Sequence, residues 1–496
     1  MKKSLVVFAF LLLAGLGFTV YFQSSLLSEK DQVTFMDDII YGDASEVEGL
    51  TATIRSQYGR QLYWTTTYGA GANPDINTDY NFYSSEQDYN YQMSNYVSMN
   101  FSFEDDFELG KNRSELTNIG QALFDLYQET GDNETKIKEI RLKDYYDYYP
   151  FEFSFLWDDY DEYWEWEADY LTMYGYSTED ERYQDFLYLK NFFRIPIMED
   201  DTITLELSKK YGSLDYTSVY YDENEYYFSS YSAAADNGLY FTFVIDGQDS
   251  HNAFDDSLIP GGYGIYYIPC TSDTSISDKA DVQNMSMVYP LDKEDEILNF
   301  GVTADGSKLI LIYLENAAIS DIRENEAESR TVIEIIDTKT MELLQTIYLD
   351  GIPKADGSTE ILIPHNIHSY DDFIAMECSY DYLAVLALTE QDTYELAFVT
   401  NLREEGIFEY YIDSQPATVM DWNGSQIAIA GRRLGNIADY YYYESCGFYL
   451  AVFDKDGLVY YSEHDSSLGR GEFPYGSETI QLLTDQEEWG LEVHWE

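Results

Sequence analysis

Four times between residues 236 and 430, a tight turn opens directly onto a short apolar run. Asp236-Asn237-Gly238 leads into Leu239-Tyr240-Phe241, and Asp305-Gly306-Ser307-Lys308 leads into Leu309-Ile310-Leu311-Ile312. Tyr380-Asp381-Tyr382 leads into Leu383-Ala384-Val385-Leu386, and Asn423-Gly424-Ser425-Gln426 into Ile427-Ala428-Ile429-Ala430. Asp, Asn and Gly tolerate positive φ in such turns, and a short unalternating apolar run between turn signals is a strand covered on both faces. After two of the runs comes an amphipathic hairpin. One is 332–336 and 343–349 around Asp337-Thr338-Lys339-Thr340, the other 448–453 and 458–461 around Asp454-Lys455-Asp456-Gly457. A chain with this unit must stack sheets on sheets.

Turn, buried strand and paired outer strands is the order of a propeller blade. The step from Asp381 to Asn423 is 42 residues, within the roughly 40–45 of a four-stranded blade. The steps from Asn237 to Asp305 and from Asp305 to Asp381 are 68 and 76 residues. Acidic insertions such as 321–328 and a loop over 351–370 absorb the excess. Over about 230–470 the chain resembles bacterial propellers of the WD40-like or YVTN-like type, although neither Gly-His nor Trp-Asp recurs at blade spacing. More broadly it is similar to bacterial extracytoplasmic proteins held by one membrane anchor. That resemblance implies a fold and a location and brings no activity.

Upstream, 50–57 and 61–68 read as a hairpin around Tyr58-Gly59-Arg60, and 136–142 and 202–208 as strands. Leu116, Ile119, Leu123, Leu126 and Tyr127 recur at helical steps, and Gly131 marks a helix end, so a helix is expected over 114–130. The fold class expected is mainly β: an irregular β-propeller-like domain with a small α/β N-terminal adjunct and one N-terminal transmembrane helix.

That helix is read from 5–22, where Thr19 and Tyr21 are the only polar residues. Eighteen helical residues at about 1.5 Å each span roughly 27 Å, close to a bilayer's hydrocarbon thickness. Lys2 and Lys3 place the short side in the cytoplasm, and Tyr21-Phe22 suits the outer interface. The competing reading is a cleaved signal peptide with Gly15-Leu16-Gly17 as its site, which would give a secreted chain. The expected organisation is 1–4 cytoplasmic end, 5–22 anchor, 23–48 tether, 49–142 β/α region, 143–196 insertion rich in Tyr and acids, and 197–496 propeller-like domain.

Charge decides which partners are excluded. With 92 Asp and Glu against 28 Lys and Arg, the net charge is −64. Nucleic acid and anionic lipid surfaces need a basic face and are poor partners. The 50 Tyr, 27 Phe and 7 Trp argue against disorder. Cys270, Cys378 and Cys446 lie far apart, so no CxxC metal or redox motif exists, and buried apolar thiols are expected.

Chemistry is harder to find. Of the five histidines only His365 and His368 are close in sequence, and Pro364 argues against the helix that would make them a metal pair. His464-Asp465 is expected in a turn between blades. No GxSxG and no phosphate-binding Gly-rich loop with its Lys occurs, and Gly261-Gly262-Tyr263-Gly264 reads as a turn before strand 265–268. The segment that concentrates aromatics and acids contains Trp157, Tyr160, Tyr163, Trp164 and Trp166 beside Asp158, Asp159, Asp161, Glu162 and Glu165. Three chemistries use such residues: aromatic faces for a ligand, clustered acids for weak Ca²⁺, and paired carboxylates for glycoside hydrolysis. Asp292 to Glu296 is a further acidic candidate. Tyrosines that cover a core while their hydroxyls face water account for the same pattern without any function. The function expected is a non-enzymatic extracytoplasmic binding or scaffold protein, with an envelope protein or carbohydrate as ligand and no cofactor. The alternatives are a carbohydrate-active hydrolase and the sensor partner of a transport or signalling system.

Overall fold

A computed structural model describes residues 11–21, 24, 35–58, 62–82, 96–101, 113–116, 118–156, 164–166, 181–199, 201–220, 226–235, 238–247, 250–251, 254–271, 279–315, 330–354, 359–404, 408–409, 419–432, 447–466, 481–482 and 491–495. Three of the four turn-and-strand units are present in full, and of the first the strand Gly238–Gly247 is present while Asp236 and Asn237 lie outside the described residues. Leu309 to Ile312, Leu383 to Leu386 and Ile427 to Ala430 are each 0% exposed, which is why their sequences show no alternation. In the turns, Asp305 Oδ1 accepts from Ser307 N and Thr303 Oγ1 at 3.0 and 2.7 Å. Asn423 Oδ1 accepts from Ser425 N and Gln426 N at 3.0 and 2.8 Å. The side chains replace backbone partners that a tight turn leaves without one.

Two units build up from these sheets. The first comprises 1–91, 380–387 and 396–496. One of its sheets runs in the order Phe35–Tyr41, Gly457–Ser466, Gly447–Asp454, Ile427–Arg432, Val419–Trp422. In the other, Leu50–Tyr58 takes Leu62–Gly69 on one side, followed by Asp75–Phe82, and both Gln481–Leu482 and Leu491–Trp495 on the other. Leu50, Ala52, Ile54 and Val493 meet Ala428, Ala430, Leu450 and Val452 in its core.

The second unit comprises 92–379 and 388–395. Its four-stranded sheet Glu296–Val302, Lys308–Glu315, Arg330–Asp337, Leu343–Leu349 is the meander expected of a blade. Before it come the sheet of Tyr226–Ala235, Gly238–Gly247, Gly264–Thr271 and Ser286–Pro290, and the sheet of Tyr96–Phe101, Phe151–Leu156 and Trp164–Trp166. The first strands of successive sheets lie side by side, from Tyr96–Phe101 through Tyr226–Ala235 and Glu296–Val302 to Pro364–Ser369. This is a propeller-like arrangement. A separate sheet of Thr135–Arg141, Thr202–Lys210 and Ser213–Tyr220 carries the helix Asn118–Glu129. Lys209 Nζ donates to the Thr130 carbonyl at 2.8 Å, supplying a cation to that helix's C-terminal end.

Several expectations change. The helix begins at Asn118, not 114, and a 3₁₀ turn, Arg113–Glu115, precedes it. The segment expected as a tether contains the strand Phe35–Tyr41, paired with Gly457–Ser466. The 351–370 loop contains the strand Pro364–Ser369, so His365 and His368 lie on a strand. His464 is not in a turn. It is 0% exposed on the strand Gly457–Ser466, its Nε2 is 2.7 Å from Ser462 Oγ, and its ring stacks on Phe448 with centroids 4.4 Å apart. A polar residue pair misled there, because a hydrogen bond to Ser462 and the rings of Phe448 and Tyr68 accommodate a buried imidazole. Cys378 is buried and Cys270 half-buried, both as free thiols. Residues 11–21 are helical, and no helix among the described residues is long and apolar enough to cross a membrane. Residues 5–10 and 22 of the expected span lie outside the described residues.

Candidate binding groove

The helix Glu181–Phe192 ends the segment rich in tyrosine and acids, and Leu189, Phe192 and Phe193 carry it into the core of the second unit. Phe193 sits edge-on to Tyr266 with centroids 4.9 Å apart, and Phe192 likewise at 5.9 Å. Gln283 Nε2 donates to the buried Asp185 at 3.0 Å and fixes the helix against the turn Val282–Asn284. Tyr188, Asn191 and Phe192 of the helix border a groove. It lies between the helix, the turn at Pro260 and Gly261, and the start of Ser286–Pro290, has a volume of about 480 Å³, and is lined by Tyr188, Asn191, Phe192, Pro260, Gly261, Met285, Ser286 and Met287.

Gly261 and Gly262 adopt φ of 88° and 86°, a conformation glycine takes at no steric cost. A Cβ on Gly261 would stand 3.0 Å from Met287 Cβ, so glycine lets the turn approach the methionine that forms the groove wall. Tyr188 and Phe192 place their rings 5.9 Å apart along the helix, as residues four apart do. Burial raises the Tyr188 phenol above its ordinary pKa, so it is a neutral hydroxyl at physiological pH. Outside the lining, Arg194 Nη2 donates to Oδ1 of the lining residue Asn191, and the guanidinium carbon lies 5.7 Å from the Tyr148 ring centroid. The named lining holds aromatic, thioether, amide and hydroxyl groups and no carboxylate.

Of the residues singled out from sequence, Trp157, Asp158, Asp159, Tyr160, Asp161, Glu162 and Tyr163 lie outside the described residues. Trp164 and Trp166 fall on the strand Trp164–Trp166, opposite Phe155 and Phe153. Among the described residues no group of three or more His, Cys, Asp or Glu is placed to hold a metal ion. His368 Nε2 instead lies 3.0 Å from Glu377 Oε1, and Asn366 Nδ2 donates to Glu377 Oε2 at 2.9 Å. Glu377 is 2% exposed, and these two side chains bring polar partners to its buried carboxylate.

Elsewhere tyrosines supply the donors. Tyr289 and Tyr313 donate to the two oxygens of Glu334 at 2.9 and 3.2 Å, Tyr461 donates to Glu463 at 2.8 Å, Tyr216 and Tyr220 donate to Glu206, and Tyr149 donates to the fully buried Asp201. With 92 acids and 28 bases, most carboxylates have no cation to pair with. Phenol hydroxyls take that place. The groove itself was missed from sequence because its lining comes from three separate segments, 188–192, 260–261 and 285–287, and nothing in any one of them names the others.

No known protein family matches the chain, and no curated protein does. Among solved structures, the chain is similar to the β-propeller domain of Cps50 (Swd1) from Myceliophteria thermophila, at 8% identity and a TM-score of 0.21, covering 55% of this chain and 82% of that one. It is also similar to a subtype N10 neuraminidase-like protein of A/little yellow-shouldered bat/Guatemala, at 7% identity and a TM-score of 0.25, covering 58% and 80%. A third is a putative glycosidase from Bacteroides thetaiotaomicron, at 13% identity and a TM-score of 0.20, covering 48% and 72%.

Proposed function

We propose that this chain is a non-enzymatic binding protein of the bacterial cell envelope, held in the membrane by residues 5–22, and that the groove beside Glu181–Phe192 seats its ligand. The observation that carries the reading is the lining. On a chain of net charge −64, this groove offers apolar surface without a carboxylate to desolvate, together with the few polar groups that fix a ligand's orientation. Met285 and Met287 give it an adaptable wall. Support for the anchor comes from residues 11–21, where Leu11, Leu13, Phe18 and Tyr21 are each more than 60% exposed. Apolar side chains presented outward along a helix need an apolar medium. The test places the photo-crosslinker p-benzoylphenylalanine at position 188 in intact cells. The expected result is a discrete adduct in the membrane fraction that Met287→Glu abolishes. Absence of an adduct, or one indifferent to Met287→Glu, contradicts the reading.

A further inference from the structure

We infer that the groove takes an amphipathic organic anion: an apolar or aromatic body on Tyr188, Phe192 and Met287, and one carboxylate on Arg194. The inference rests on the groove being the ligand site and specifies what enters it. Arg194 is exposed, yet its guanidinium is already oriented by Asn191 and by the face of Tyr148. Asn191 is itself part of the lining, so the cation stands one hydrogen bond from it. Among the described residues no carboxylate pairs with Arg194. Arg113, Arg141 and Arg330, by contrast, each close on an aspartate, at 2.8, 2.7 and 3.3 Å.

In a chain with 92 acids and 28 bases, a guanidinium held at a groove without an internal acid is placed for an external one. With Nη2 on Asn191, Nε and Nη1 remain as donors to a carboxylate, a pairing that guanidinium geometry favours. The same charge balance disfavours a second negative charge on the ligand. A basic ligand would meet Arg194 beside Asn191 and is disfavoured there. The volume, about 480 Å³, lies within the roughly 300–1,000 Å³ of small-molecule sites.

The test uses the full chain in nanodiscs, titrated with 4-phenylbutyrate and with its neutral amide. The acid is expected to bind at least tenfold more tightly than the amide. Arg194→Gln should erase that difference without changing the amide's affinity, Arg194→Lys should restore part of it, and Met287→Glu should abolish binding of both. Equal binding of acid and amide to the wild type, or an Arg194→Gln variant that retains the preference, overturns the anion inference while leaving the groove reading intact. Binding of both that survives Met287→Glu overturns the groove reading as well.

Discussion

Tyrosine explains how a chain with so few cations keeps its carboxylates folded in. A phenol donates one hydrogen bond without bringing a charge, so Tyr289 and Tyr313 can hold Glu334 between two sheets where a lysine would need its own hydration. The arrangement fails when the phenols ionise. Burial, aided by Asp305 and Asp392, pushes Tyr394 up to about 12, and burial beside Glu334 raises Tyr289 and Tyr313 further. An unfolded tyrosine titrates near 10. The folded state therefore holds these protons more tightly, and their contribution to stability is complete below pH 10 and is lost as the pH rises toward 12 and beyond. Urea unfolding midpoints should fall across that window, and less steeply in Tyr394→Phe; midpoints that stay level would contradict the assignment. His464 makes a second case. Replacing it with Ala removes the Ser462 bond and the stack on Phe448, and should cost about 2–4 kcal/mol by denaturant titration. Its burial was not legible in sequence, since His464-Asp465 carries the same residue types as a surface turn.

At the scale of elements, turn chemistry was the legible part. Asp305-Gly306-Ser307 and Asn423-Gly424-Ser425 announce their turns because a short side chain must cap the backbone and a glycine must take positive φ. Gly238 shows how strict this is. Its φ is 155°, and a Cβ there would lie 2.3 Å from the Ile268 carbonyl oxygen. Gly238→Ala should therefore destabilise the Tyr226–Ala235 and Gly238–Gly247 hairpin by about 1–3 kcal/mol, seen as faster amide exchange in both strands; unchanged exchange would contradict the contact. Two of the strands that escaped sequence reading, Asp75–Phe82 and Pro364–Ser369, are polar. Each lies at the edge of its own sheet and buries little, so hydrophobic period carries no signal there. The helix Glu181–Phe192 escaped too, because its aromatic residues and its two leucines are spread around the axis.

At the scale of the whole molecule, pairings between distant segments are what local pattern cannot show. Leu491–Trp495 pairs with Leu50–Tyr58, and Phe35–Tyr41 pairs with Gly457–Ser466. Nothing in either strand of such a pair names the other. The groove belongs to the same class of feature, since Tyr188, Gly261 and Met287 meet only once three segments have folded. Its role is the central claim, and amide hydrogen exchange on the nanodisc-held chain tests it most directly. Saturating 4-phenylbutyrate should slow exchange in 187–192 and 285–288 while leaving the buried strand 309–312 unchanged. Protection that is absent from those two segments, or that appears elsewhere instead, would contradict it.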